Sequence, residues 1–194
     1  CVRGPRVSIG AETLPRRSDQ PGLRINGIVA RHVHFRHDFE DMSTRLFVSG
    51  ALINGAELEL DGDRARYLGK VLRIRVGDSI SVFNGEGPEW PAIVTRVGKS
   101  AVGLELGESV DAGSESPLKI HLVQGISRGD RMDFVGQNAT ELGVKHITPV
   151  LMHYCVVKLN ADRAEKRRDH WQKIASSACE QSGRTRLPLI DTPV

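Results

Sequence analysis

The order of apolar and polar segments after Pro117 constrains the fold more than any other feature. LKIHLVQ predicts a strand, GDRMDFVGQNATELG a helix, HITPVL a strand, NADRAEKRRDHWQKIASSACEQSG a long helix, and LPLI the start of a third strand. Strands that alternate with helices form parallel sheets covered by crossover helices. We therefore predict an α/β layer from residue 118 onward, with ligands bound beyond the carboxyl ends of its strands.

The two predicted helices carry signals at both ends. Asp130 and Asn160 are the predicted N-caps, and Gly143 and Gly183 follow the predicted last turns. Helical spacing also predicts the apolar positions that face the core, which are Met132, Val135, Ala139 and Leu142 in the first helix and Trp171, Ile174, Ala175 and Ala178 in the second.

Residues 42–110 show a different pattern, with short β-branched or alternating runs separated by turn signals such as VGD and NGEG. The segment DRARYLGKVLR interrupts these runs, and it has Ala65, Leu68 and Leu72 at helical spacing. Short strands with one helix predict a small β-barrel. Residues 111–117 are rich in Gly, Ser and acidic residues, which predicts a linker.

Residues 1–41 show no sustained period, and they contain the breakers GPR, LPRR and QPG. We expect an irregular N-terminal extension, with Met42 as the native initiator. His32, His34 and His37 lie close together, but solvated histidines are favoured over metal ligands there, and no metal site is predicted.

Several protein classes lack support in the sequence. No GxGxxG follows the first strand of the α/β layer, and neither GxxxxGK[ST] nor GxSxG occurs, which disfavours a dinucleotide enzyme, a P-loop NTPase and an α/β-hydrolase. The 3 cysteines form no CxxC pair, so reduced cytoplasmic thiols are expected. No apolar run is long enough for a membrane helix, and no signal-peptide core is present.

Polar residues crowd two helix ends. Glu180, Gln181 and Arg184 stand where the long helix ends, and a helix end decorated by cations is the alternative to a functional cluster. Gln137 and Glu141 lie four residues apart on one face of the preceding helix, where a solvated polar face is the alternative.

Basic residues form two further groups. Lys70, Arg73 and Arg75 cluster in the β half, as in an RNA-binding surface. Arg128 and Arg131 lie in a strand-to-helix loop, where they are placed either to hold phosphate near a helix N-terminus or to remain solvated.

From Arg45 to its last residue the chain resembles the RsmE family of 16S ribosomal RNA uridine N3-methyltransferases, of the SPOUT superfamily. The matching runs are RLFV, YLGKVLRIRVGDSISVFNG, HLVQGISRGDRMDF, QNATELGVKHITPV, CVVKL and WQKIASSACEQSGRTRLPLI. The resemblance implies a PUA-like RNA-binding β-barrel, followed by a trefoil-knotted SPOUT domain that binds S-adenosylmethionine and forms a homodimer.

The sequence departs from the family pattern at both ends, and at the N-terminal end residues 1–41 match nothing in the family. Family members continue after the EQSGR helix with a GPEGG loop and an LRTETA-like segment that hold the methyl donor, and neither occurs before Val194. We therefore expect residues 118–194 to be the N-terminal part of a SPOUT domain, truncated at its C-terminus, with the donor-binding residues outside this sequence. Such a fragment is expected to be inactive alone.

The resemblance also implies a function, namely methylation of a uridine N3 in 16S rRNA of the small ribosomal subunit, in the cytoplasm. Arg184 is then expected to stabilise the uracil anion, Gln181 and Glu141 to position the reacting groups, and Glu180 to accept a proton. The predicted RNA contacts are Arg45, Lys70, Arg73, Arg75, Arg128 and Arg131. The alternatives are a non-catalytic RNA-binding module and a flavodoxin-like ligand binder.

Overall fold

The structure is a computed structural model, and it describes residues 44–111, 113, 115–153 and 159–194. The strands of this part are β1 (Arg45–Phe47), β2 (Glu57–Asp61), β3 (Ser79–Phe83), β4 (Pro88–Val97), β5 (Ala101–Leu106), β6 (Val110–Asp111), β7 (His121–Gly125), β8 (His146–Val150) and β9 (Leu189–Ile190). The helices are α1 (Gly62–Arg66), which continues as a π-helical segment over Tyr67–Leu72, α2 (Arg131–Glu141) and α3 (Ala161–Ser182).

The first six strands form one sheet in the order β1-β3-β4-β5-β2, and β6 pairs with β4. The pairs are antiparallel except for β1 and β3, which run parallel with Arg45 opposite Ser81. A register shift in β4 between Val94 and Arg96 bends the strand, as bulges do. The small β-barrel with one helix that the sequence predicts is present as a curled sheet, whose strand path ends at β1 and β2.

Apolar side chains of this sheet pack around the helix that follows β2. The members of this core that are almost fully buried are Leu68, Ile80, Val82, Ala92, Val94, Val102 and Leu104. Full burial of one Leu, Ile or Val side chain contributes about 1.5–3 kcal/mol before the entropic cost of ordering the chain. This core therefore holds the six strands together around one short helix.

The remaining strands form the predicted parallel sheet, in the order β7-β8-β9. His121 lies opposite His146, which lies opposite Leu189. Helices α2 and α3 pack on one face, where Ile147, Trp171 and other apolar residues form a second core. The alternating β-α-β-α-β prediction is thus confirmed.

The helix ends follow the sequence signals closely. Asn160 Oδ1 accepts a hydrogen bond from the backbone N–H of Arg163 at 3.0 Å, and Gly183 has the left-handed φ of 80° that ends α3. Asp130 stands at the predicted start of α2, but its side chain makes no capping hydrogen bond there. Leu142 was predicted to be buried, and this is wrong, since it follows the last residue of α2 and is 79% exposed.

The π-helical segment changes which residues face the core. Ala65 and Leu68 are buried as predicted, but Leu72 is partly exposed and Val71 is 65% exposed. The wider turn of a π-helix breaks the i, i+3, i+4 spacing on which the prediction of a buried Leu72 rested. Arg73, with φ of 54°, ends the segment in the left-handed conformation.

None of the described helices combines the length and the apolar character needed to cross a membrane. The predictions for His32, His34, His37 and Met42, and the irregularity predicted for residues 1–41, lie outside the described residues.

Candidate functional site

The polar residues at the end of α3 lie where the six-stranded sheet contacts the parallel-sheet layer. We call this contact the seam, and define it as β1, the residues 84–89, the last turn of α3 and residues 184–187. Several of the site residues predicted from the sequence make their contacts in or beside the seam.

Arg45 crosses the seam from β1. Its guanidinium donates two hydrogen bonds to the carboxylate of Glu89, at 2.8 and 3.1 Å. The same group donates to the backbone carbonyls of Cys179 and Arg184, at 2.8 and 3.2 Å. A cation near carbonyls that lack partners in the last helical turn is favourable, so Arg45 binds the C-terminal end of α3 to the sheet.

The carboxylate of Glu89 is buried, and it has more than one partner. Besides the two donors from Arg45, it accepts a hydrogen bond from the hydroxyl of buried Ser81 on the adjacent strand. Sequence reasoning missed Glu89, because nothing in the alternating run PEWPAIVTRV marks one acidic residue as inward-facing.

Glu180, in the last turn of α3, contacts β1 across the seam. Its Oε1 accepts a hydrogen bond from the backbone N–H of Phe47 at 2.9 Å. Burial raises the pKa of the Glu180 carboxyl above its ordinary value, although that N–H and the charges of Arg64 and Arg45 oppose the rise. A carboxylate with a raised pKa is a stronger proton acceptor, but this one is turned toward β1.

The loop between β3 and β4 contacts the chain that follows α3. The backbone N–H of Leu187 donates to the carbonyl of Gly85 at 3.1 Å. A Cβ on Gly85 would lie 2.8 Å from Leu187 Cβ, and the φ of Gly85 is 84°. Close approach and left-handed backbone therefore both require glycine at this position.

Arg184 is buried inside the α/β layer, with 5% of its surface exposed. Its guanidinium donates to both carboxylate oxygens of Glu115, at 3.2 and 3.0 Å, and to the carbonyls of Thr140 and Val144, at 2.7 and 2.9 Å. These four hydrogen bonds use most of the five donors of a guanidinium. Arg184 thus joins the end of α2 to the chain after α3.

Glu115, which sequence reasoning missed, lies in the segment predicted to be a linker. It also accepts hydrogen bonds from the backbone N–H groups of Thr185 and Arg186, at 3.3 and 3.0 Å. Burial raises the pKa of the Glu115 carboxyl, but the hydrogen bonds from Arg184 and from these backbone groups outweigh it and hold the pKa below its ordinary value. Glu115 is therefore held as a carboxylate.

The other two residues of the predicted catalytic set are exposed. Glu141 ends α2 and accepts a hydrogen bond from Gln137 Nε2 at 2.9 Å, one helical turn earlier. Gln181 is in the last turn of α3. Arg184 follows α3 and donates a hydrogen bond to the Thr140 carbonyl near the end of α2, so it brings the two helix ends together. The four side chains of the predicted catalytic set do not meet at one place.

The predicted RNA contacts other than Arg45 are all exposed. Lys70 lies in the π-helical segment, and Arg73 and Arg75 follow it. Arg128 and Arg131 lie in the loop before α2 and in its first turn. The side chains of His121, His146 and Asp191, which the sequence reasoning missed, lie close together on the three-stranded sheet and are of the types that can ligate a metal ion.

Two family models match the chain in consecutive order. An RNA methyltransferase PUA domain matches residues 60–106, and an RNA methyltransferase domain matches residues 114–194. The first falls within the six-stranded sheet and the second covers the parallel-sheet layer. A PUA-like domain followed by a SPOUT-like α/β domain defines the class of protein, and confirms the fold class expected from the sequence.

Two curated relatives indicate a particular family. The chain is 35% identical over 138 residues to the ribosomal RNA small subunit methyltransferase E of Buchnera aphidicola (subspecies Acyrthosiphon pisum), covering 70% of this chain and 53% of the relative. It is 31% identical over 131 residues to the protein of the same name from Bacillus subtilis, covering 68% and 51%. The chain is similar to this family, and it spans about half the length of these curated relatives.

Solved structures agree with this assignment. The ribosomal RNA small subunit methyltransferase E of Neisseria gonorrhoeae, bound to S-adenosyl methionine, matches with a TM-score of 0.73 and 40% identity, over 77% of this chain and 62% of that one. A methyltransferase from Legionella pneumophila, in complex with the bound cofactor SAM, matches with a TM-score of 0.74 and 38% identity, over 78% and 62%.

Proposed function

We propose that the protein to which this chain belongs methylates a base of 16S ribosomal RNA in the small subunit, with S-adenosylmethionine as the methyl donor. The observation that carries this proposal is the match to the Neisseria gonorrhoeae methyltransferase with its bound donor, which covers both layers of the fold. The finer proposals are that the target atom is a uridine N3, that the protein works as a homodimer, and that it is cytoplasmic.

The chemistry at a uridine N3 sets what the protein must supply. The N3–H proton has to leave before the nitrogen can form a bond to the methyl carbon, and the donor supplies an electrophilic methyl group that departs from its sulfur. Placement of the base and removal of one proton are therefore the tasks of the protein.

The contacts at the seam support a positioning role for Arg45 and Arg184. Both guanidiniums are engaged by a carboxylate and by backbone carbonyls at a helix end, so each fixes where a helix stops. We propose that Arg184 holds the ends of α2 and α3, and with them Glu141 and Gln181, beside the base. Glu180 remains the proposed proton acceptor, because its pKa is raised.

The exposed cations support RNA binding by the first layer. Lys70, Arg73 and Arg75 lie within six residues of one another on and after the π-helical segment, without burial. Phosphate contacts of this kind position an RNA without selecting its sequence. We propose that they hold the rRNA, while Arg128 and Arg131 contact it near the start of α2.

The fit of the donor to the described residues is partial. Parallel sheets bind ligands at the carboxyl ends of their strands, which here lie at Gly125 and Val150. Gly125 is closely approached by Met152, since a Cβ there would lie 3.1 Å from Met152 Cγ. We therefore assign no side chain of this chain to the donor.

The proposed division of the chain is a barrel over 42–110, a linker over 111–117 and a methyltransferase part over 118–194.

A chimera tests the function directly. Residues 44–194, joined to the remaining part of the Neisseria gonorrhoeae protein, are incubated with undermethylated small subunits and S-adenosylmethionine labelled in its methyl group. We expect the label in 16S rRNA as N3-methyluridine, identified by nucleoside mass spectrometry. Label on another base would overturn the N3 proposal, and label absent from RNA would overturn the methyltransferase proposal.

The chain alone provides the second arm of this experiment. We expect it to bind small-subunit rRNA without transferring a methyl group, because it spans about half of its relatives. Methyl transfer by the chain alone would show that its own residues bind the donor, and would overturn this expectation. RNA binding in both arms with methyl transfer in neither would favour a non-catalytic RNA-binding module.

A further inference from the structure

Three metal-ligating side chains converge on the face of the three-stranded sheet that turns away from α2 and α3. His146 Nε2 lies 2.7 Å from Asp191 Oδ2, and His121 Nε2 lies 2.8 Å from Thr148 Oγ1. The Thr148 hydroxyl in turn donates to Asp191 Oδ2 at 2.5 Å. We call His121, His146 and Asp191 the imidazole–carboxylate cluster; their ligand atoms all lie within 4.8 Å of one another.

Strand register builds this cluster. His121 and His146 are direct partners in the parallel ladder, and their rings stack at 4.0 Å with 3° between planes. Asp191 directly follows Ile190, which packs in the core under the helices, so side-chain alternation turns Asp191 to the opposite face. Three adjacent strands therefore each bring one ligand to the same place.

The hydrogen bonds within the cluster show where its lone pairs point. One Nε2 bonds Asp191 directly and the other reaches it through Thr148, so both imidazole nitrogens and the carboxylate face one another. An ion such as Zn²⁺ holds nitrogen and oxygen ligands at about 2.0–2.2 Å. Small rotations of the three side chains would place one ion between them, in place of the bridging protons.

We propose that the imidazole–carboxylate cluster binds a divalent transition-metal ion of the Zn²⁺ class. Two imidazoles and one carboxylate are ligands that such ions take, and a water molecule can complete a tetrahedral shell because His121 is exposed. Thr148, bonded to two members of the cluster, orients them as the groups around bound metals do. The ion crosslinks β7, β8 and β9, so its role is to stabilise the sheet.

Zinc titration of the complete chain, freed of metal by a chelator, tests the site. Calorimetry is expected to show one saturable ion per chain, and the thermal midpoint is expected to rise with zinc, because the ion binds the folded sheet and not the unfolded chain. Co²⁺ is expected to give visible absorption of nitrogen and oxygen ligation, without a thiolate band. No saturable binding, or a thiolate band, would overturn the proposal.

Variants assign the binding to these residues. His146→Gln and Asp191→Asn are each expected to weaken zinc binding by at least about 10-fold, and Asp191→Glu, which keeps a carboxylate, is expected to recover part of the affinity. Circular dichroism of each metal-free variant checks that it folds. Unchanged affinity in both variants would overturn the proposal.

Two controls separate this cluster from other histidines. His170→Gln removes the imidazole that pairs with Asp133 at 2.9 Å, another exposed histidine–carboxylate pair, and should leave zinc affinity unchanged. Replacement of His32, His34 and His37 by Gln should also leave it unchanged. Loss of the saturable site in this triple variant would place the ion elsewhere and contradict the proposal.

Discussion

Two largely buried arginine–glutamate pairs in the described part of the chain look alike and act on different parts of the fold. Arg45 and Glu89 both belong to the six-stranded sheet, and Arg45 reaches out of it to the end of α3. Arg184 and Glu115 instead come from the two ends of the α/β layer, and Arg184 also holds the end of α2. The Arg45–Glu89 pair therefore joins the six-stranded sheet to the α/β layer, whereas the Arg184–Glu115 pair joins parts of the α/β layer to one another.

In both pairs the guanidinium binds groups of the fold itself, at or near a helix end. Each guanidinium binds both oxygens of a carboxylate and donates to backbone carbonyls in or just after the last turn of a helix. Removal of the arginine would leave a largely buried carboxylate without its counter-charge, and would take one donor from each of these carbonyls. The two pairs thus make separable predictions about stability.

The largest effect is expected from Arg184→Ala. The change removes the charged partner of Glu115, which keeps only its two backbone N–H donors, and takes one donor from each of two carbonyls; breaking a buried pair by removing one partner costs about 3–5 kcal/mol. Urea unfolding followed by the fluorescence of Trp171, which lies in the same layer, measures the destabilisation. Arg168→Ala, which removes an exposed arginine paired with Asp169, is the matched control and should change stability little. A destabilisation by Arg184→Ala no larger than the control's would contradict the role given to Arg184.

Arg45→Ala should have a smaller effect that falls on the seam. It removes hydrogen bonds that involve charged groups, each contributing about 1.5–3 kcal/mol, but the arginine is less deeply enclosed and water can replace some of these bonds. Trp90 and Trp171 report on the two layers separately. We expect their urea transitions to separate in the variant, and to remain together in the control Arg66→Ala, whose arginine pairs with exposed Asp63.

The helix ends and the order of the elements follow from the sequence, whereas the two arginine–glutamate pairs do not, because both join residues that are far apart along the chain. The N-cap Asn160, the terminal Gly183 and the order of strands and helices are local signals, and the structure confirms them. The roles of Glu89 and Glu115 depend on arginine partners that are 44 and 69 residues away in the sequence, so no local pattern reveals them. A Gly- and Ser-rich segment predicts a linker, but composition does not show that one of its carboxylates is captured by a distant arginine.

The pKa values of Glu115 and Glu180 are shifted in opposite directions, so the two carboxyl groups make the stability of the fold depend on pH in opposite ways. The folded-state pKa of Glu115 lies below the ordinary 4.5, because hydrogen bonds from Arg184 and from the backbone outweigh burial; its stabilising charge is present above that value and is lost as pH falls through the folded pKa. Burial raises the pKa of Glu180 above 4.5, so its contribution is lost as pH rises through the folded pKa.

Two substitutions check these signs. Glu115→Gln should flatten the loss of stability on acidification, and should lower stability at neutral pH. Glu180→Gln keeps an oxygen to accept from the Phe47 N–H, so it should preserve or raise stability at neutral pH. Urea midpoints across the acidic range measure both, and an identical pH response of the two variants would contradict the assigned pKa directions.

The smallest effect on stability is expected from Lys70→Gln combined with Arg75→Gln, because both side chains are exposed. The variant should instead weaken binding to small-subunit rRNA, and should lower the slope of log K against log salt by roughly 0.7–0.9 for each phosphate that the protein no longer neutralises. Arg96→Gln, which removes an exposed arginine paired with Glu59, is the control. An unchanged slope in the double variant would show that these cations do not bind phosphate.

The central proposal is that the protein to which this chain belongs methylates small-subunit rRNA. Nucleoside mass spectrometry of 16S rRNA, from source cells with and without the gene that encodes this sequence, tests the assignment most directly. We predict that deletion removes one N3-methyluridine from the 16S rRNA, and that returning the intact gene restores it. An unchanged content of N3-methyluridine after deletion would contradict the assignment.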